Sequence, residues 1–395
     1  MVGACVGYSA TNGIVRRSLL AQKADAVIVG GGIAGISVAY HLARGGMRNI
    51  VLLEREPLLG TGSSALSAGV IYHHLPEKVN LQLSQKSMQA VLEFEDEFDT
   101  RIDFRRSGCI QTADSQEDLE TLEGTVRELG RMGVDARLLE PHRLSDLVPG
   151  IMADDLLGAI YTPNDGHFDP HGMIQGYEKG AKRMGVRILT GMPAIGLGID
   201  KNRITGVKTP EVNIDSEIVI NASGAMAAEI AALAGLKEFP VVPFKRQIFI
   251  TSPTDIMPAD APFYFDKNPP FYFRPESGGL LMSIAELQEC PTRDLSVDWR
   301  SVEILAERAT RRLPRLQSIR IMRGWAGLRN MTPDNTAILG PVPEPEGLYC
   351  AVGFSGHGVM HAPLTGRILA SMIIDGNTQH YEDIDLDALK FERFL

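Results

Sequence analysis

The pattern of apolar and polar positions starts at Asp25-Ala-Val-Ile-Val-Gly30, a short unbroken apolar run of the kind that forms a strand buried on both faces. Ile33 to Arg44 follows as a helix, and Gly45-Gly46 ends it. Asn49 to Glu54 is a second buried strand, so the three segments predict a βαβ unit with a right-handed crossover. Residues 77–98 place Val79, Leu81, Leu83, Met88, Val91, Leu92 and Phe94 at helical spacing and predict one long helix, after which 102–112 reads as a strand. The middle of the chain changes period. Gln247–Thr251, Pro262–Asp266, Phe271–Arg274 and Leu280–Ile284 are short β-like runs separated by Pro, Gly, Asn and Asp, the signature of an antiparallel sheet. An amphipathic helix is expected over 298–312 and a strand over Ile319–Leu328. Asp169–Met184, Arg187–Leu189, Glu217–Ile220 and Gly347–Ile374 again look like βα pieces, so the first unit is discontinuous and the antiparallel unit is inserted in it.

Composition narrows the function more than the fold. With 395 residues, 44% of them hydrophobic and 22% charged, the chain can bury a large core and has the length of two or three domains. A formal charge of −10, from 39 basic and 49 acidic side chains, gives no general attraction to nucleic acid or anionic lipid. No apolar run approaches the length of about eighteen residues that a membrane-spanning helix needs. Cys5, Cys109, Cys290 and Cys350 stand far apart without metal-ligand spacing, which argues against a disulfide scaffold or a zinc site and for a reducing, cytoplasmic setting. Residues 1–23 read as an N-terminal extension. Their Arg16, Arg17 and Lys23, with several Ser/Thr and no acid, leave organellar targeting as the alternative.

The chemistry starts at Gly30-Gly31-Gly32-Ile33-Ala34-Gly35, a G-x-G-x-x-G at the strand-to-helix turn. Gly30 permits the tight turn, Gly32 lets a pyrophosphate approach the backbone at the positive helix N-terminus, and Gly35 lets helix and strand pack closely, with Ile33 and Ala34 between them. Glu54 stands nineteen positions after Gly35, with Arg55 beside it, where a carboxylate accepts hydrogen bonds from a ribose diol. The small polar loop from Gly60 to Gly69 comes where an NAD fold would begin its next helix. Its Thr61, Ser63, Ser64 and Ser67 hydroxyls can meet phosphates, and Ala68, Gly69 and Val70 let the chain pass under a flat ring; a flexible surface loop is the alternative. Near the C-terminus a strand runs into Gly353-Phe354-Ser355-Gly356-His357-Gly358-Val359-Met360, a second glycine-rich helix N-terminus. Its unpaired N–H groups suit the edge of a reduced flavin, where negative charge develops, and NAD alone would not need it.

These blocks, VIVGGGIAGISVAYHLARGG with LLER, GTGSSALSAG, INASGAMA, GWAGLRNMTPDNTAILGPV and GFSGHGVMHAPLTGRILASMI, resemble the FAD-dependent amine and amino-acid oxidoreductases of the D-amino-acid oxidase superfamily. That branch holds glycine oxidase, sarcosine oxidase and the catalytic subunit of archaeal L-proline dehydrogenase. The resemblance implies an α/β fold class, with a FAD-binding Rossmann-like doubly wound domain and an α+β substrate domain on an antiparallel sheet that roofs the flavin. The corresponding segments are 24–85, 145–235 and 325–395 for the FAD-binding domain, and 86–144 and 236–324 for the roof. It also implies that Ala194, Ala222, Ser223, Gly224, Met226 and Gly327 border the cofactor. FAD is expected to be non-covalent, since no cysteine or histidine sits at an evident attachment position.

Arg329 is the strongest catalytic candidate. A guanidinium at the end of a strand entering the flavin site can grip a carboxylate with two parallel hydrogen bonds, and in the family's GLR segment the arginine plays this part. The competing reading is a surface arginine paired with Asp334. Asn330 follows where the family has proline, and Met360 stands where sarcosine oxidases have a lysine that binds substrate and, in some relatives, speeds reaction with oxygen. His73 and His74, after the loop, are candidates for orienting substrate. Tyr272 and Tyr264 lie on β-like runs of the roof, Tyr272 as a catalytic candidate and core packing as the commoner fate. His357 is placed for a cofactor contact. Asp165-Gly-His167-Phe-Asp169-Pro could suggest metal ligands, but Asp169 capping a helix before Pro170 is simpler.

Together these features predict an FAD-dependent oxidoreductase acting on the C–N bond of a small amino, imino or N-methyl amino acid, with oxygen or an electron-transfer partner subunit as acceptor. One alternative is the catalytic subunit of a dye-linked dehydrogenase complex, and another is an FAD-binding assembly factor without turnover. The acidic charge gives no support to a nucleic-acid partner.

Overall fold

The computed structural model describes residues 23–284 and 290–395, so the N-terminal extension lies almost wholly outside the described residues. The first strand, Ala26–Val29, sits inside a six-stranded sheet ordered Ile338–Pro341, Leu348–Val352, Val219–Asn221, Ala26–Val29, Ile50–Leu53 and Arg187–Leu189. Every neighbouring pair is parallel except the first. Alternation along Ala26–Val29 sends Ala26 and Ile28 to one face and Val27 and Val29 to the other. On the first face lie the helices Ile33–Arg44 and Gly358–Ile374, flanked by Lys78–Leu92 and Pro170–Arg183. The second is covered by a three-stranded meander, Gly196–Asp200, Arg203–Lys208 and Asn213–Asp215, together with the short helix Ala227–Leu233.

The two helices on the first face approach unusually closely. A Cβ on Gly366 would sit 2.4 Å from Ser37 Oγ and 2.6 Å from a carbon of the His41 ring. The Ser37 hydroxyl donates to the Ala362 carbonyl at 2.7 Å across the same contact.

A second sheet of eight strands runs Ile321–Met331, Val242–Thr251, Gly279–Ile284, Phe271–Glu276, Phe263–Asp266, Cys109–Ala113, Gly158–Thr162 and Arg137–Leu139. The expected antiparallel runs are all present. One pair, Phe263–Asp266 with Cys109–Ala113, is parallel, so the sheet is mixed. Ser301–Arg312 packs on it through Leu305 and Ala309.

Three expectations shift. The helix predicted over 77–98 breaks at Glu93 into Lys78–Leu92 and Phe94–Phe98, because Phe94 and Phe98 turn inward to stack on each other and meet Tyr177 edge to face. The strand predicted over 102–112 forms only at Cys109–Ala113, since positive φ at Asp103 (47°) and Gly108 (82°) interrupts extended structure before it. The domain boundaries move with the packing. Segment 145–165, assigned above to the FAD-binding unit, contributes Val148, Ile151, Leu156 and the strand Gly158–Thr162 to the second sheet and its core. Residues 86–98, assigned to the roof, bury Met88, Val91, Phe94 and Phe98 in the core of the first unit. Residues 325–331, also assigned to the first unit, belong to the edge strand of the eight-stranded sheet. Short apolar runs show that a strand is buried but not which sheet it joins.

Candidate active site

The first glycine turn can be built only without side chains. Gly30 has φ +114°, and a Cβ there would lie 2.5 Å from the Ala222 carbonyl oxygen; one on Gly35 would lie 1.9 Å from the Gly30 oxygen. Glu54 fixes the turn with both oxygens: Oε2 accepts the Gly31 N–H at 2.8 Å and Oε1 accepts the Glu56 N–H at 2.8 Å. Ser64, from the small polar loop, accepts the Ile33 N–H at 3.0 Å. Within the described residues the N–H groups of Gly32, Ala34 and Gly35 have no acceptor. A helix N-terminus with spare donors, a groove that a Cβ would crowd and no acid in its first turn fits the pyrophosphate of FAD.

Part of the predicted cofactor set lies beside this turn. The Ser223 hydroxyl donates to Asn221 Oδ1 at 2.6 Å, just beyond Ala222, and Gly224 (φ +57°) and Met226 continue the bend. Loop residues Thr61, Ser63, Ser67, Ala68 and Val70 remain partly or fully exposed, while Gly69 is buried with φ +65°. Ala194 lies two residues past Met192, whose N–H bonds the Glu54 carbonyl. Arg55 instead extends to the surface beside Glu56, 3.1 Å away.

The second glycine turn is pinned to the end of the strand Ile321–Met331. The Ser355 N–H donates to the Asn330 carbonyl at 3.0 Å, and Ser355 Oγ accepts the Thr332 N–H at 3.2 Å. Asn330 therefore makes this junction through its backbone, which proline could also offer. Phe354 and Ser355 are buried, and Gly353 (φ +72°) and Gly356 (φ +99°) carry the bend into the helix. The N–H groups of Gly358, Val359 and Met360 find no acceptor among the described residues, a second set of spare donors suited to a flavin edge. Met360 is buried.

Strand alternation aims Trp325, Gly327 and Arg329 at this region. Trp325 Nε1 donates to the Leu66 carbonyl at 3.1 Å, and a Cβ on Gly327 would lie 3.1 Å from Leu66 Cβ. Arg329 reaches the second turn, with its Nε 3.0 Å from where a Gly356 Cβ would be. Among the described residues Arg329 has neither hydrogen bond nor ion pair. Asp334, the partner a surface reading would give it, is held by Arg393 at 2.7 Å.

Beside Arg329 stand Tyr72 and His357, their rings edge to face at 6.2 Å. Burial pushes the Tyr72 phenol up to about 12, and the Arg329 charge opposes that rise. Burial lowers His357 to about 3, and Arg329 adds to the fall, so this imidazole is neutral near pH 7. Tyr72 stacks on Phe263 at 6.2 Å, and Phe263 meets Tyr272 at 5.4 Å, which brings the predicted Tyr272 to the same wall. Tyr264 goes to the core, where its hydroxyl donates to Asp266 at 2.8 Å.

The two histidine candidates part. His74 lies 5.0 Å from Tyr72, and burial lowers it to about 4 against the pull of Asp165. His73 is buried instead against Asp165, where Nδ1 meets Oδ1 at 2.5 Å. Sequence reasoning missed Tyr72, Phe263 and Asp165. The alternation Val70-Ile71-Tyr72 was a signal for the first, but nothing local marks Asp165 as the partner of a histidine 92 positions away. The suspected metal run is accounted for by Asp169, which caps Pro170–Arg183 through the N–H groups of His171 and Gly172.

Comparison with known proteins bears on this geometry. Dimethylglycine dehydrogenase of Rattus norvegicus mitochondria is 27% identical over 94% of this chain, which spans 45% of that protein's length. FAD-dependent oxidoreductase domain-containing protein 1 of Xenopus laevis is 29% identical over 94% of this chain and 83% of its own. The crystal structure of L-proline dehydrogenase from P. horikoshii superposes with a TM-score of 0.87 at 29% identity, covering 95% of this chain and 99% of that one. Glycine oxidase from Geobacillus kaustophilus shares the fold, with a TM-score of 0.82 at 24% identity over 95% of this chain and all of its own. With the family model for FAD dependent oxidoreductases matching residues 25–372 and two sets of spare backbone donors where such a cofactor needs them, the chain belongs to the FAD dependent oxidoreductase (DAO) family.

Proposed function

We propose that this protein oxidises the C–N bond of a small amino, imino or N-methyl amino acid, with Arg329 holding the substrate carboxylate. The observation that carries this reading is the Arg329 guanidinium, without a partner among the described residues and set between the second glycine turn and the aromatic wall. A partly buried arginine without an acid is costly unless a ligand supplies the anion, and its planar fork suits a carboxylate. Bound FAD supplies the acceptor for the hydride lost from the carbon beside nitrogen. Gly32, Ala34 and Gly35 would hold its pyrophosphate, Glu54 its ribose, and Gly358, Val359 and Met360 its electron-rich edge. Arg329 orients the carbon to be oxidised, and Tyr72, Phe263 and Tyr272 exclude water beside it. Neutral His357 adds no positive charge, and low polarity favours the uncharged amine that can lose hydride. The resulting imine hydrolyses in water.

A second reading concerns the electron acceptor. Met360 is buried in the first turn of its helix, where no lysine stands to assist oxygen, which supports a dehydrogenase passing electrons to a partner. Dimethylglycine and L-proline dehydrogenases among the relatives agree with it.

The test is anaerobic bleaching of the purified yellow protein by a panel of amino, imino and N-methyl amino acids. Bleaching by carboxylate-bearing amines and not by their decarboxylated counterparts is the expected result. Slow recovery in air would mark the dehydrogenase. A protein bleached by none of them would be the FAD-binding assembly factor instead. Acid precipitation should release the FAD into solution, as non-covalent binding requires.

A further inference from the structure

We infer that Tyr72 is a specificity-determining residue, whose ring face receives the N-alkyl group of a secondary or tertiary amine and so selects N-substituted over primary amino acids. The inference rests on the reading of Arg329 given above and narrows its substrate class.

Tyr72 is aimed and fixed by its neighbours. Ile71 and His73 are buried, 0% and 3% exposed, while Tyr72, just past the strand Val70–Ile71, is half-buried with its ring against His74 and His357. Ile71 pairs with Gly166 and His73 is held by Asp165, which leaves the strand little freedom to withdraw the ring. The wall it forms is aromatic and continuous: Tyr72 on Phe263 with only 19° between the planes, then Tyr272.

Among the described residues the wall offers a substrate nitrogen no carboxylate, and its acceptors are the Tyr72 and Tyr272 hydroxyls and His357 Nδ1, which has no partner there. The ring contacts of Tyr72 are His74, Phe263 and His357, and none of these, nor Arg329 or Tyr272, carries a carboxylate or amide. Glu77, whose charge reaches Tyr72, is engaged by Asn80 Nδ2 at 3.1 Å. A primary ammonium turns N–H donors rather than C–H surface toward these ring faces. Each alkyl group on nitrogen replaces one donor with C–H surface that an aromatic face attracts, and in a permanently cationic amine the charge strengthens that attraction.

The experiment compares two carboxylates of one shape, trimethylglycine and 3,3-dimethylbutanoate, by their perturbation of the visible spectrum of the FAD-loaded protein. They differ only in the cationic nitrogen, and trimethylglycine has no nitrogen lone pair with which to form an imine, so binding is read without turnover. The wild type should prefer trimethylglycine about five- to tenfold. Tyr72→Phe should keep that preference, Tyr72→Leu should bring the ratio close to one, and Arg329→Lys should weaken both ligands alike. A wild-type ratio near one, or a ratio unchanged in Tyr72→Leu, overturns the role of Tyr72 and leaves the carboxylate grip standing. Unchanged affinity for both ligands in Arg329→Lys overturns the grip itself. Should Tyr72→Leu fail to load FAD, Phe263→Leu, which removes the ring stacked on Tyr72, must lower the ratio for the inference to survive.

Discussion

Asp165 grips His73 twice, accepting its backbone N–H at Oδ2 (3.0 Å) and lying 2.5 Å from its Nδ1 through Oδ1. Both side chains are nearly sealed from solvent, 0% and 4% exposed, and the Thr162 hydroxyl donates to the same carboxylate. Asp165→Asn therefore takes from a buried ring, a backbone N–H and a hydroxyl the carboxylate they share. The expected loss is about 1–3 kcal/mol of stability, read by urea unfolding of the FAD-loaded protein. A loss below about 1 kcal/mol, the scale of an exposed pair, would show that this pair does not hold the strand.

Glu54→Gln should weaken FAD retention by about 1–3 kcal/mol. The carboxylate uses one oxygen for Gly31 and the other for Glu56, so an amide must set its NH₂ against a backbone N–H. Fluorescence titration of the apoprotein with FAD measures the change. Equal affinity in both proteins would assign the ribose to another residue.

The βαβ unit and both glycine turns could be read from sequence because local chemistry determines them: a turn at positive φ requires glycine wherever it occurs. The meander Gly196–Asp215 escaped notice, although its Lys201-Asn202 turn, with φ 46° and 64°, is a two-residue hairpin signal. The sheet joined by Gly158–Thr162 and the pairing of His73 with Asp165 depend on residues distant in sequence, and neither period nor composition encodes those distances.

Acid should destabilise the protein before most carboxylates titrate. Burial pushes His41 down to about 3, with Arg367 and Arg44 adding to the effect, and pushes His74 to about 4. As pH falls below 6.5 the unfolded chain protonates these rings while the folded chain does not, so stability is lost between 6.5 and the folded values and is intact above 6.5. At pH 5 each ring accounts for about 2 kcal/mol. His41 Nε2 also lacks a hydrogen-bond partner among the described residues. His41→Phe should flatten the change in urea midpoint between pH 7 and pH 5, and an identical change in both proteins would refute this account.

Arg329→Lys should retain fold and FAD yet bind the best acid of the panel roughly ten- to a hundredfold more weakly, because an ammonium cannot make the two-point contact. Its decarboxylated amine should be affected far less. Comparable affinity of wild type and variant for the acid would remove Arg329 from the site.

The strand Ile321–Met331 behaves as a ruler laid across both units. Trp325 and Gly327 meet Leu66, Arg329 meets the Gly356 turn, and the Asn330 carbonyl holds Ser355. A slip of one residue would turn every one of these side chains to the other face. The distance between the proposed carboxylate grip and the cofactor is thus locked to the cofactor's own cradle, and change on this side costs both. The opposite wall carries no such duty, so new substrates within this architecture are most readily acquired by exchanging Tyr72, Phe263 and Tyr272 while the ruler stays unaltered.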